Sequence, residues 1–184
     1  LCNFYNLSMK TYICYFTFLL VLSFTAQGQL YTNKDHNVVV FPQIEGPIVL
    51  TEGPEEHFFA SYYAINSFSQ SGEYVTVLRT KIRYQLPTEH DVATLGLVHI
   101  PTKKFIPIAE TRAWNFQEGC MAHWLGTSPD SLIIFNDYRQ GKFVSIILNV
   151  HTKKEIRVID RPVSAVSPNG KEAVGLNFAR LRST

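Results

Sequence analysis

A stretch of nine residues occurs twice, 50 positions apart. Ile100-Pro101-Thr102-Lys103-Lys104-Phe105-Ile106-Pro107-Ile108 is matched by Val150-His151-Thr152-Lys153-Lys154-Glu155-Ile156-Arg157-Val158. An apolar run precedes each copy, at 94–100 and 144–150. A fixed period of this length is the mark of a repeat architecture and excludes most irregular single-sheet folds. A second signal recurs alongside it. Ser71-Gly72-Glu73, Ser128-Pro129-Asp130 and Ser167-Pro168-Asn169-Gly170 each stand before a β-type run. These are turn residues joining strands.

Interleaving the two signals predicts four strands per period. The first unit is 57–65, 74–79, 92–100 and 105–109; the second is 121–125, 132–136, 143–150 and 155–159. A third opens with 163–166 and 173–177. No long stretch carries the 3.6-residue period of an amphipathic helix. Four antiparallel strands per 40–50 residues predict an all-β fold, a β-propeller with four-stranded antiparallel blades. The alternative is a β-sandwich with coincidental turns, and the 50-residue match argues against it. Two and a half blades do not close a propeller, so residues 55–184 are expected to be the N-terminal part of a longer one, with the reading frame continuing past Thr184.

The N-terminus reads as a secretory signal at 9–28. Lys10 is the charged n-region, 13–24 is an uncharged apolar h-region, and Ala26-Gln27-Gly28 supplies a small-residue cleavage site. The apolar run is shorter than the ~20 residues a membrane-crossing helix needs. Residues 1–8 read as upstream translated sequence, and 29–54 as a leader with β-type runs at 38–41 and 47–50. Cleavage removes Cys2 and Cys14, leaving Cys120 without a partner for an internal disulfide. Its apolar surroundings suit a packed core residue better than a nucleophile. A secreted protein is expected, periplasmic or extracellular, with no membrane span after cleavage and monomeric at full length. The formal charge of +2 offers no basic stripe for nucleic acid.

Strand alternation sorts the loops. Turns after the first and third strands of each unit share one end. Loops after the second strand, and connections between units, share the other. The second end collects Glu56-His57, Arg79, Lys81, Arg83 and Tyr84, the run Arg112 to Glu118 with Trp114, Asn115 and Gln117, then Asn136-Asp137-Tyr138-Arg139, Arg161, and finally Asn177 and Arg180. Loops bearing such types on a rigid scaffold commonly carry function. Part of this set, Asn136 and Asn177 foremost, is equally suited to satisfying backbone groups between units. His123 lies inside a strand and reads as a buried, hydrogen-bonded histidine or a channel-facing one. His99 and His151 fall at the opposite end.

At these residues the chain resembles a known group. Arg112-Ala113-Trp114-Asn115-Phe116-Gln117-Glu118-Gly119, Phe135-Asn136-Asp137 and Leu176-Asn177-Phe178-Ala179-Arg180 look like secreted TolB-like propellers. That group is similar to the propeller polysaccharide lyases, oligogalacturonate and ulvan lyases among them. The first strand departs from the group's His-Phe-Phe-Gly-Tyr-Tyr-Asp by reading His57-Phe58-Phe59-Ala60-Ser61-Tyr62-Tyr63-Ala64, without the acidic residue. The resemblance implies β-elimination on uronate-containing, anionic polysaccharides. Such a reaction needs carboxylate neutralisation, a base and an acid. Arg112 and Arg139 suit the carboxylate, His57 the base, and Tyr138 or Tyr63 the acid. Trp114, Asn115, Gln117, Asn136, Asp137 and Arg180 complete the substrate contacts. The alternative is a non-catalytic envelope propeller that binds a glycan or a protein. A divalent metal stays open, since His57, Asp137 and Glu118 could assemble a site, yet no local ligand spacing marks one.

The export signal makes a direct prediction. N-terminal sequencing of the protein recovered from outside the cytoplasm should begin at Gln29. A mature chain that retains the 13–24 run would contradict it.

Overall fold

The computed structural model describes residues 30–32, 38–40, 46–126, 128, 130–177 and 180. The proposed signal, Phe178 and Ala179 lie outside them. The chain divides into two compact units, to Ile48 and from Val49. In the first, β1 (Leu30–Thr32) pairs antiparallel with β2 (Val38–Val40). The second unit contains all that follows. The run at 47–50, expected as a strand, is not one. Pro47 removes a ladder donor, and among the described residues no strand pairs with the run.

The second unit is all-β. β3 (Glu56–Phe59), β4 (Tyr74–Thr80), β5 (Ala93–His99) and β6 (Lys104–Thr111) form one antiparallel sheet in chain order. β7 (His123–Trp124), β8 (Leu132–Arg139), β9 (Lys142–Asn149) and β10 (Lys154–Ile159) form a second sheet of the same plan. β11 (Ala165–Val166) and β12 (Ala173–Val174) make a short hairpin. The 50-residue repeat is visible in the backbone. Lys103 and Lys153 occupy equivalent turns and both adopt left-handed φ, 55° and 56°.

Alternation along the strands directs the packing. Leu78, Leu95, Leu97 and Ile108 of the first sheet meet Ile133, Phe135, Ile146 and Leu148 of the second in one buried cluster. The opposite face of the second sheet buries Ile134 with Met121, Leu125 and Val163, the last supplied by the segment after β10. At the turn end, the Asp130 carboxylate accepts the Ser71 amide at 3.2 Å, tying equivalent turns of the two sheets together.

The expected strands 121–125, 163–166 and 173–177 shorten to β7, β11 and β12, and two further differences shape the sheet seam and the hairpin. The first strand ends at Phe59 instead of 65, because the chain there leaves β4. The Ala60 carbonyl instead accepts the amides of Cys120 (3.0 Å) and Ala122 (3.1 Å), and the Ser61 hydroxyl donates to the Ala122 carbonyl. Strand β8 runs on to Arg139 and turns through Gln140 and Gly141, so 136–139 is ladder and not loop. Gly141 has φ 79° and Gln140 φ 50°, the paired positive angles that a two-residue hairpin demands.

Contact at Ala60 depends on Gly119, which has φ 57°. A Cβ there would lie 2.3 Å from the Ala60 carbonyl carbon and 2.6 Å from the Phe59 oxygen. Both are backbone atoms and neither can swing aside. Gly119→Ala is therefore expected to destabilise the protein by about 3 kcal/mol, as the sum of left-handed strain and overlap. A urea midpoint within error of the parent would refute this.

Candidate functional site

Three segments converge at the end opposite the turns. Residues 81–92 form a long loop between β4 and β5, 112–119 connects the sheets, and Tyr138 and Phe143 flank the β8–β9 hairpin. Between them lies a cleft of about 260 Å³, lined by Arg112, Trp114, Asn115, Glu118, Tyr138 and Phe143, with Thr88 and Glu89 on its far side.

Each wall is held from below. The Trp114 indole is buried and donates Nε1–H to the Asp91 carbonyl at 2.9 Å, tying the long loop to the sheet connection. Thr88 closes that loop by donating both its amide and its hydroxyl to the Asp91 carboxylate, each at 2.7 Å. These bonds hold the Asp91 carboxyl below its ordinary pKa. The Asn115 side-chain oxygen accepts the amides of Gln117 (2.8 Å) and Glu118 (2.6 Å), while its Nδ2 donates to Glu118 Oε2 at 3.2 Å. Asn115 and Gly119 exchange backbone hydrogen bonds at 3.1 Å. Residues 115–119 thus form a closed turn that fixes the Glu118 carboxylate beside the cleft.

Of the residues expected to bind substrate, Arg112, Trp114, Asn115 and Asn136 line this cleft, and so does Tyr138, one of the two residues expected as the acid. Their roles differ. The Arg112 side chain is exposed and makes no ion pair among the described residues. Its backbone amide donates to Asp137 Oδ1 at 3.0 Å. Asp137 is buried and spends its carboxylate on three donors: the Arg112 amide, the Tyr138 amide (2.8 Å) and Arg139 Nε (2.7 Å). Arg139 gives its remaining nitrogens to Glu155, at 2.5 and 2.9 Å, which holds the Glu155 carboxyl below its ordinary pKa. Arg139, expected to bind carboxylate, is consumed by this network. Asn136 is buried, donating to the Val163 carbonyl (2.8 Å) and accepting the Val163 amide (2.7 Å), as a strand neighbour would. Gln117 is exposed on the outer side of the turn, and Arg180 is exposed outside the cleft lining.

The other expected acid–base residues, His57 and Tyr63, lie elsewhere. His57, on β3, lines a separate pocket of about 500 Å³ with Glu55, Arg79, Lys103 and Phe105. Its ring meets Phe105 edge-on at 5.4 Å. Burial, then the Arg79 charge, lowers its pKa. Arg79 is paired with Glu55 at 2.9 Å and lies 4.4 Å over the Phe105 ring. Tyr63 is 79% exposed, stacked on Tyr62 in the loop after β3. His57, Asp137 and Glu118 do not form a cluster: no set of three His, Cys, Asp or Glu among the described residues could hold a metal ion. Cys120 is buried against the Ala60 carbonyl, and burial pushes its thiol pKa up, away from nucleophilic chemistry. Of this loop, Lys81, Arg83 and Tyr84 are legible in the sequence only as members of the polar end, and no motif marks 85–89. A long loop in one repeat and a two-residue turn in the other is the signal that could have drawn attention to them.

Comparison with protein-family models, with curated proteins and with solved structures finds no match.

His123, on β7, is buried, its Nε2 has no hydrogen-bond partner among the described residues, and burial lowers its pKa. The sign follows from linkage. Below a pH of about 6.5 the unfolded chain takes up a proton at this site that the folded chain refuses, so stability falls until the folded pKa is passed. His123→Leu should flatten the loss of urea stability between about pH 7 and pH 5. Equal slopes in the two proteins would remove His123 as the cause.

Proposed function

We propose that this is an exported β-propeller protein whose cleft between Arg112 and Tyr138 binds glycan hydroxyls. The observation that carries the reading is the unpaired Arg112 guanidinium beside Asn115, Glu118 and Tyr138, over a wall made by Trp114. One guanidinium, Arg112, and two carboxylates, Glu118 and Glu89, line the cleft, so it offers both donors and acceptors. Vicinal hydroxyls need both kinds of partner, whereas a trap for carboxylates alone would carry excess cation. Pockets with aromatic walls and a few fixed polar groups are the usual form of small-ligand sites.

The propeller reading draws support from two successive four-stranded meanders of one plan, packed face to face, with a third hairpin following. The export reading rests on residues 9–28. Binding without turnover is preferred because His57 and Arg112 line different pockets, so a base of that kind does not stand by the guanidinium. One observation favours a second reading, elimination on uronates: Arg112 and Tyr138 line one cleft and could serve as carboxylate binder and proton-transfer group.

Purified protein applied to a glycan array should retain a defined set of glycans. Arg112→Ala should weaken that binding by about 1.5–3 kcal/mol, the worth of a charged hydrogen bond, with the circular dichroism spectrum unchanged. Undiminished binding by the variant would sink the proposal. Absorbance at the unsaturated-sugar band on pectic, ulvan or glycosaminoglycan substrates, abolished by Tyr138→Phe, would establish the second reading in its place.

A further inference from the structure

A second pocket, of about 510 Å³, adjoins the first along the same two segments. Phe58, Phe116, Tyr84, Leu86 and Gln85 line it. Loop residues 84–86 belong to this pocket and 87–89 to the cleft. On the facing side, Phe116 belongs to this pocket, and Trp114 and Asn115 to the cleft. The pocket floor is aromatic: Phe116 meets Phe58 at 4.7 Å and Trp114 at 5.4 Å, both edge to face. Its edge is polar. Arg83 is pinned to Glu56 at 2.6 Å and to the Pro54 carbonyl at 3.0 Å.

Tyr84 is the unusual member. Its side chain is fully exposed and its φ is 57°. A bulky residue in the left-handed region is strained, and a glycine would sit there at no cost. Of the other non-glycine residues with positive φ, Lys103, Asp130, Gln140 and Lys153 occupy turns, and Met121 is buried. Leu86, two residues on, is 83% exposed. The loop nevertheless has fixed ends: Ile82 donates its amide to Thr80 Oγ1 at 3.1 Å, and Trp114 holds Asp91. The result is a loop anchored at both ends that presents an aromatic ring and an aliphatic side chain to solvent beside a polar edge. Strain and exposed apolar area of this kind concentrate where a ligand is met.

We infer that Tyr84 and Leu86 form a second sugar subsite, on which the ring next to the one held at Arg112 stacks, so that the protein binds a linear oligosaccharide and not a single sugar. The inference rests on the glycan-binding reading of the cleft. A sugar fits better than a purely apolar partner because its CH face suits the Tyr84 ring while its hydroxyls suit Gln85 and the Glu56–Arg83 pair. The run of both pockets along the same two segments matches a linear chain.

Calorimetry with β-1,4-linked glucose, mannose and xylose oligomers and α-1,4-linked galacturonate oligomers of increasing length tests this. For the series that binds, affinity should rise about tenfold from dimer to tetramer, as expected when an aromatic anchor is added. Tyr84→Gly should abolish that gain, leave dimer affinity within about twofold, and raise the melting temperature by relieving the backbone. Tyr84→Phe should keep the gain. A gain that persists in Tyr84→Gly overturns the subsite, as does a parent protein indifferent to chain length while Arg112→Ala still loses the dimer. If no oligomer binds the parent, the cleft reading falls and takes the subsite with it. If Tyr84→Gly instead converts a dimeric protein to a monomer in sedimentation and leaves the tetramer affinity unchanged, the shelf is a contact between copies and the subsite is wrong.

Discussion

The Ala60 carbonyl is the pivot of the second unit. It accepts two amides from the chain that begins the second sheet, and that sharing ends β3, aligns β7 and sets the start of the inter-sheet core. Buried carbonyls must find donors, and an unmet one costs as much as the hydrogen bond is worth. Two backbones can approach this closely only because Gly119 has no side chain. The same glycine closes the turn that begins at Asn115, so the seam between the sheets and one wall of the cleft share a single constraint.

Polar residues divide sharply between seam and site. Asp137 and Asn136 stand one residue apart on β8 and point to opposite faces. Asp137 gathers the Arg112 amide from the first sheet's side, and Asn136 brackets the Val163 backbone on the other. Both side chains satisfy backbone groups of irregular segments, Arg112 and Val163. Arg112 is held at its backbone by that arrangement, which leaves its guanidinium to face the cleft. Positioning by buried polar groups and availability of the charged head are thus two results of one network.

Much of the architecture could be read from the chain. The period of 50, the Ser-initiated turns and the alternating apolar runs located nearly all strands of both sheets, since strand periodicity and turn chemistry are local properties. The errors fell where a non-local partner decided the outcome. Residues 60–65 have strand-like composition, yet Ala60 pairs across the seam. Residues 136–139 look like a polar loop, yet their hydrogen bonds extend β8 to a two-residue turn. Of the site, the convergence of Arg112, Trp114, Asn115 and Tyr138 followed from strand direction alone. The removal of Arg139 by Asp137 and Glu155, and the separation of His57 from the cleft, did not.

The sequence by itself determined an all-β chain of repeated four-stranded units, the positions of its tight turns, and the end at which its polar loops gather. Those follow from side-chain period, turn residues and strand alternation, which act within a few residues of one another. Only the tertiary structure decided which polar groups are spent and which remain available. A carboxylate or guanidinium has the same local signature whether it faces a ligand or a buried amide. Its role depends on partners that arrive from 16 to 60 residues away, as Glu155 does for Arg139 and Cys120 does for Ala60.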